Sequence, residues 1–173
     1  MEVYLVRHTE TVCEKGICYG QTDVGLKAPF LEQFESIKKQ IPADTIIYSS
    51  PLSRCVQLAN YLAPSIITDS RLMEMHFGDW EMKKWDAIPQ DEFAPWMNDF
   101  VNVAVPNGES FVGLHHRVTD FWSEIITQNN SKSIAIVSHA GVVRSILCTI
   151  SNLPLKDAFT NKVDFGELIK LKL

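Results

Sequence analysis

Apolar residues in this chain gather in short unbroken runs, and the stretches between the runs carry apolar positions at helical spacing. Val3 to Val6, Thr45 to Tyr48 and Ile134 to Val137 show no polar alternation, the pattern of strands covered on both faces. They predict strands over 2–7, 44–49 and 133–138; a short strand over 65–68 and a last one over 167–173, at an edge, complete the set. Positions 30, 31, 34, 37 and 41 predict a helix over 28–40 that Pro42 closes. A second helix is predicted over 51–63, with Ser50 as its cap, Pro51 in its first turn and Leu52, Val56, Leu58, Ala59 and Leu62 turned inward. A third opens at Glu109 or Ser110 and runs to Gln128 with Phe111, Leu114, Val118, Phe121, Trp122 and Ile125 on one face; a fourth spans 141–152. Strands alternating with helices imply an α/β fold, a three-layer α/β/α sandwich on a mostly parallel sheet.

Two stretches fit neither period. Residues 9–27 form a polar connection with Gly16, Gly20 and Gly25, longer than a strand-to-helix link requires, and such loops are often functional. Residues 83–107 mix Trp85, Phe93, Trp96 and Phe100 with Asp86, Asp91, Glu92 and Asp99. Helical fragments over 83–88 and 90–101, broken at Pro89, would make a lid-like excursion above the sheet. Its flat apolar faces suit the stacking of a base or nucleoside, and the same spacing suits plain core.

Length and charge narrow the classes. A chain of 173 residues with no repeat and no composition shift fits one domain, 1–173. The net charge of −5 argues against a general nucleic-acid or membrane surface, and no run approaches the roughly 20 apolar residues of a membrane span. The four cysteines lack CxxC spacing and the amino terminus lacks a signal-peptide layout, so a cytoplasmic protein with reduced thiols is expected. Cys13 and Cys18 have no second ligand pair for a metal. His115 and His116, adjacent on one helix, face different ways and are expected at the surface. No metal and no cofactor is expected; a homodimer is compatible with the sequence without being required by it.

The chemistry sits where strands end. The first strand stops at Arg7-His8, the fourth at Ser138-His139, followed by Ala140-Gly141, and the second hands over through Ser49, Ser50 and Pro51 to a helix with Arg54 in its first turn. Open α/β sheets place ligands at such carboxyl ends. Two imidazoles, two guanidiniums and a helix amino terminus suit a phosphoryl group, because Arg forks match its oxygens and unpaired N–H groups point at it. In Arg71 to Trp80 a lone glutamate, Glu74, stands among apolar residues; a carboxyl so placed keeps its proton at neutral pH, as a general acid must. His76 reads as a packing residue. Arg144, one turn into its helix, could reach the rim or lie at the surface.

Taken in order, Arg7-His8, Ser50-Pro51 with Arg54, Glu74 with Gly78 to Glu81, Gly108-Glu109-Ser110 and Ser138 to Arg144 resemble the motifs of the histidine phosphatase superfamily, also called phosphoglycerate mutase-like, over nearly the whole chain. Met73 to Met82, Trp96, Asp99 and Pro106 to Phe111 look most like its alpha-ribazole phosphatase branch, enzymes of cobalamin nucleotide-loop assembly. The resemblance implies one antiparallel strand in the sheet and a metal-independent phosphomonoesterase acting on a small phosphorylated substrate. By it His8 is the nucleophile, Glu74 the proton donor, and Arg7, Arg54, His139 and the amides from Ala140 onward hold the phosphoryl oxygens. Tyr19 to Leu26 resembles the family's substrate-side loop, which makes Gln21 and Thr22 candidate contacts; a turn held by Asp23 and Gly25 is the other reading. Thr9 and Glu14 depart from the family's usual glycine and asparagine. Phosphoglycerate mutase or sugar-phosphate phosphatase activity would use the same site, and a non-catalytic phosphoryl-binding protein is the alternative of another class.

Overall fold

The computed structural model describes residues 1–129 and 132–173. Its sheet has five strands, β1 (Glu2–Arg7), β2 (Ile46–Ser49), β3 (Ile67–Thr68), β4 (Ile134–Ser138) and β5 (Leu168–Lys172), in the order β3-β2-β4-β1-β5. β1, β2, β3 and β4 pair in parallel, and β5 runs antiparallel to β1 at the edge. The helices are α1 (Leu31–Lys38), α2 (Ser53–Leu62), α3 (Gln90–Asn98), α4 (Phe111–Gln128) and α5 (Ala140–Ser151).

Alternation along the central strands builds two cores. Val3, Leu5, Ile134 and Ile136 pack with the inner faces of α4 and α5, while Tyr4, Val6, Ala135 and Val137 pack with Phe34 and Ile37 of α1 and Cys55, Leu58 and Ala59 of α2. Because successive strand residues point to opposite faces, one sheet serves both helical layers. Burying each Val, Leu, Ile or Phe among them contributes about 1.5–3 kcal/mol. All six apolar residues expected on the inner face of α4 are buried, and Ser110 caps that helix by accepting the Gly113 N–H at 3.2 Å.

Several boundaries differ from the expectation. α1 starts at Leu31 rather than residue 28, since Pro29 biases Ala28 away from helical angles, and Leu31 itself lies exposed. Ser50 does not cap α2: that helix begins at Ser53, whose N–H and hydroxyl both donate to Asp23. Val56 is only half-buried, and Arg54 and Cys55 take the inward positions. In the 83–107 excursion only a 3-10 turn (Trp85–Ala87) and α3 form; α3 stops at Asn98, where the Asp99 carboxylate accepts from the backbone and side-chain amides of Asn102. The aromatics there pack on one another and against Trp80, whose indole is fully buried. His116 is exposed as expected. His115 instead is half-buried, its Nδ1 2.9 Å from the Ser145 hydroxyl on α5.

Candidate active site

β1 and β4 lie side by side in parallel with Arg7 level with Ser138. The next residue of each strand therefore emerges at the same edge, and the rings of His8 and His139 stand 5.2 Å apart. β2, paired to the other side of β4, brings Ser50 and then Arg54 to that edge. Arg7, His8, Arg54, Glu74 and His139 line one cavity of about 430 Å³, closed on the other side by Glu10, Cys13, Glu14, Tyr19 and Phe165 of the loops above.

His8 is buried, and its Nδ1 lies 2.8 Å from the Thr9 carbonyl oxygen. A carbonyl only accepts, so Nδ1 carries the proton and Nε2 keeps its lone pair. Burial pushes the His8 pKa down to about 3; the bond to Thr9 opposes this, and the charges of Arg54 and Arg7 add to it. A neutral imidazole with a free lone pair is the nucleophilic form. Thr9 contributes this through its backbone, while its own buried hydroxyl finds no partner. His139 is also fully buried and held well below its ordinary range, by burial first and then by the charges of His8, Arg54 and Arg7; its Nε2 lies 2.8 Å from the Ser50 hydroxyl.

These shifts have a consequence for stability. In the unfolded chain both imidazoles gain a proton near pH 6.5, and in the fold they cannot, so unfolding takes up protons and acid weakens the fold. For His8 the loss is confined to the window from about 6.5 down to about 3. The slope for one such group reaches about 1.4 kcal/mol per pH unit. Urea melts of wild type and His8→Asn between pH 7 and pH 4 should show the variant losing less stability on acidification; parallel curves would contradict the depressed imidazole.

Arg54, with no exposed surface, donates Nη1 to the Thr22 carbonyl at 2.9 Å and Nη2 to the Gly20 carbonyl at 2.5 Å. Arg7 donates Nη1 to the Val163 carbonyl at 2.7 Å and stacks its guanidinium 3.7 Å over the Phe165 ring. The Nε of each arginine is buried without a protein acceptor. Two fixed guanidiniums with unused donors beside a neutral nucleophile can neutralise an oxyanion that forms there.

Glu74 does not sit in the apolar setting expected of it. Its Oε1 accepts the Met75 N–H at 2.9 Å and its Oε2 the Gly141 N–H at 3.1 Å, so one amide at the start of α5 serves the carboxylate. Residue 141 has to be glycine for this approach, because a Cβ there would lie 2.3 Å from Glu74 Oε1. Gln21 and Thr22 do not line the cavity. The Gln21 side chain donates to the Glu74 carbonyl at 3.0 Å, and the amides of both residues, with the Thr22 hydroxyl, donate to Glu81. Ala140 opens α5 and borders a second, apolar cavity of about 170 Å³ that shares Glu74 and Trp85 with the first. Glu14 lies exposed at the mouth of the larger cavity. Among the described residues no group of three or more His, Cys, Asp or Glu is placed to hold a metal ion, and no helix is long and apolar enough to cross a membrane.

Two further residues, Glu81 and Arg117, support the site from behind. Burial opposes ionisation of Glu81, but the Thr22 hydroxyl and the amides of Gln21, Thr22 and Phe77 hold its carboxyl below the usual range. It thereby fixes the loop whose carbonyls grip Arg54. Arg117 on α4 uses all its nitrogens: Nη1 donates to the Arg71 and Met73 carbonyls at 2.7 Å, Nη2 to the Glu74 carbonyl at 3.1 Å, and Nε and Nη2 to Glu109 at 2.7 and 2.9 Å. It pins the segment that carries Glu74. Glu81 and Glu109 stood inside recognisable motifs; Arg117 stood in none, and a lone charge beside an apolar helix face carries no signal of its own.

Known proteins resemble this chain over nearly its whole length. Residues 3–173 match the histidine phosphatase superfamily, branch 1. A Hydrogenobacter thermophilus protein provisionally named phosphoserine phosphatase 2 is 30% identical, covering 99% of this chain and 89% of that one. The adenosylcobalamin/alpha-ribazole phosphatase of Escherichia coli is 26% identical, over 96% of this chain and 87% of its own length. The crystal structure of the alpha-ribazole phosphatase from Shigella flexneri superposes with a TM-score of 0.89 at 26% identity, covering 100% of this chain and 91% of that one. With its parallel sheet, its single antiparallel edge strand and the match over 171 of its residues (3 through 173), this chain belongs to the histidine phosphatase superfamily and is a phosphatase.

Proposed function

We propose that the protein hydrolyses phosphomonoesters through a phosphohistidine at His8, and that its substrate is alpha-ribazole 5′-phosphate. The observation that carries the chemistry is the hydrogen bond from His8 Nδ1 to the Thr9 carbonyl, which leaves Nε2 unprotonated within a cavity of two arginines. In the first step Nε2 attacks phosphorus, the ester P–O bond breaks, and Glu74 gives its proton to the leaving oxygen. In the second step Glu74 takes a proton from water, the water oxygen attacks phosphorus, and the P–N bond breaks. Arg7, Arg54 and His139 face the charge that spreads over the phosphoryl oxygens, the positioning and electrostatic work that dominates such transfers. The four free cysteines suit work in a reducing cytoplasm.

The choice of substrate rests on the wall beside Glu74. There Trp85, Trp96 and Phe100 line the apolar cavity, a surface suited to the flat base of a nucleoside and poorly suited to a glycerate. Alpha-ribazole phosphatases among the relatives support the same choice. The test is phosphate release from alpha-ribazole 5′-phosphate, 3-phosphoglycerate, phosphoserine and a sugar phosphate, with His8→Ala as control. The highest kcat/KM is expected on alpha-ribazole 5′-phosphate. A higher value on phosphoglycerate or phosphoserine would overturn the substrate and leave the chemistry standing.

A further inference from the structure

The apolar cavity beside Glu74 contains one cation. Arg144, half-buried on α5, lines it together with Trp85, Trp96, Phe100 and Phe159. Its Nε donates to the Asn161 carbonyl at 3.1 Å, and its guanidinium lies 4.8 Å from the centroid of the Phe159 ring. Among the described residues neither terminal nitrogen has a protein acceptor, and no ion pair forms. Held from behind through Nε, the fork keeps both terminal nitrogens free to donate to a group that enters the cavity. The same aromatic residues, with Phe93 and Met97, border a further apolar hollow of about 400 Å³, so the wall continues outward.

We propose that Arg144 is a specificity-determining residue for the leaving group: it donates to an uncharged acceptor, a sugar hydroxyl or ring nitrogen, on a group whose aromatic ring lies against Trp85, Trp96 and Phe100. An uncharged acceptor is favoured over a carboxylate because the wall around Arg144, made of Trp85, Trp96, Phe100 and Phe159, is apolar and offers nothing else to offset the desolvation of a second charge. The two parts of the cavity thus divide the work. The aromatic wall takes the ring and excludes water, and the guanidinium reads whether the ring carries a hydrogen-bond acceptor at the right side.

This inference rests on the phosphomonoesterase reading above, and its test separates the two. Steady-state kinetics of wild type, Arg144→Met and Arg144→Lys are measured on 1-naphthyl phosphate, whose flat leaving group has no acceptor beyond the ester oxygen, and on the 5′-phosphate of a benzimidazole ribonucleoside. Wild type should prefer the nucleotide. Arg144→Met should lower that preference, the ratio of the two kcat/KM values, about tenfold, the size of one lost hydrogen bond to a charged donor. The loss should appear in KM for the nucleotide, and Arg144→Lys should recover part of it. A wild type that prefers the nucleotide and a methionine variant that prefers it equally would overturn Arg144 alone. A wild type that cleaves naphthyl phosphate with no preference for the nucleotide would overturn the nucleoside reading and the role of Arg144 together. Turnover of phosphoserine or 3-phosphoglycerate with none of either ester would overturn the nucleoside reading and the role of Arg144 and leave the chemistry standing, and absence of turnover on all four would sink the phosphatase mechanism itself.

Discussion

His8→Ala is expected to lower phosphate release by at least about 10⁴-fold on every substrate, because no second group can take its place as nucleophile. His139, the other imidazole within reach, lies wholly buried with its Nε2 against the Ser50 hydroxyl. The fold should persist. His8 is neutral and makes its side-chain hydrogen bond to the backbone of its own neighbour, so truncation opens a small cavity and strands no charge. Far-UV circular dichroism and a cooperative thermal melt check that part, and malachite-green phosphate assays check the rate. Activity within tenfold of wild type would remove His8 from the mechanism.

Glu74→Gln should lose about 10²–10³-fold on alkyl phosphates, the usual share of a general acid, and much less of the first step on p-nitrophenyl phosphate. Nitrophenolate leaves without a proton, whereas an alkoxide does not. The second step still needs a base to activate water, and glutamine is none. Stopped-flow traces of the variant should therefore show a burst of nitrophenolate equal to the enzyme concentration, followed by slow turnover. The amide oxygen can accept from only one of Gly141 and Met75, and the NH2 group then faces the other N–H, so a thermal melt should show a local cost of about 1–3 kcal/mol. Equal losses on both ester types, with no burst, would show that Glu74 acts on neither proton.

The parts read correctly from the sequence share a cause. β1, β4 and the inner face of α4 are specified by their own burial periods, and parallel pairing then forces the residues after Arg7 and Ser138 to one edge. That is why the sequence alone joins two histidines 131 positions apart (8 and 139). Gln21 and Thr22 were harder, since a polar loop residue has the same appearance whether it faces a ligand or the carboxylate of Glu81. The neighbourhood of Glu74 differs from the expectation for a related reason: its immediate chain neighbours are apolar, but its oxygens meet backbone N–H groups, one of them from Gly141, which local composition does not reveal. Likewise Ser50 fits a helix cap by type, yet the second imidazole claims its hydroxyl. Long-range polar contacts, Arg117 above all, depend on which loops meet, and neither period nor spacing encodes that.

The covalent step can be observed on its own. Enzyme mixed with a ³²P-labelled ester, quenched within milliseconds in denaturing alkali and digested, should carry label on the peptide containing residue 8, attached at Nε2 of the ring and missing from the His8→Ala protein. Label on any other residue, or attachment at the Nδ1 nitrogen that the Thr9 carbonyl occupies, would contradict it.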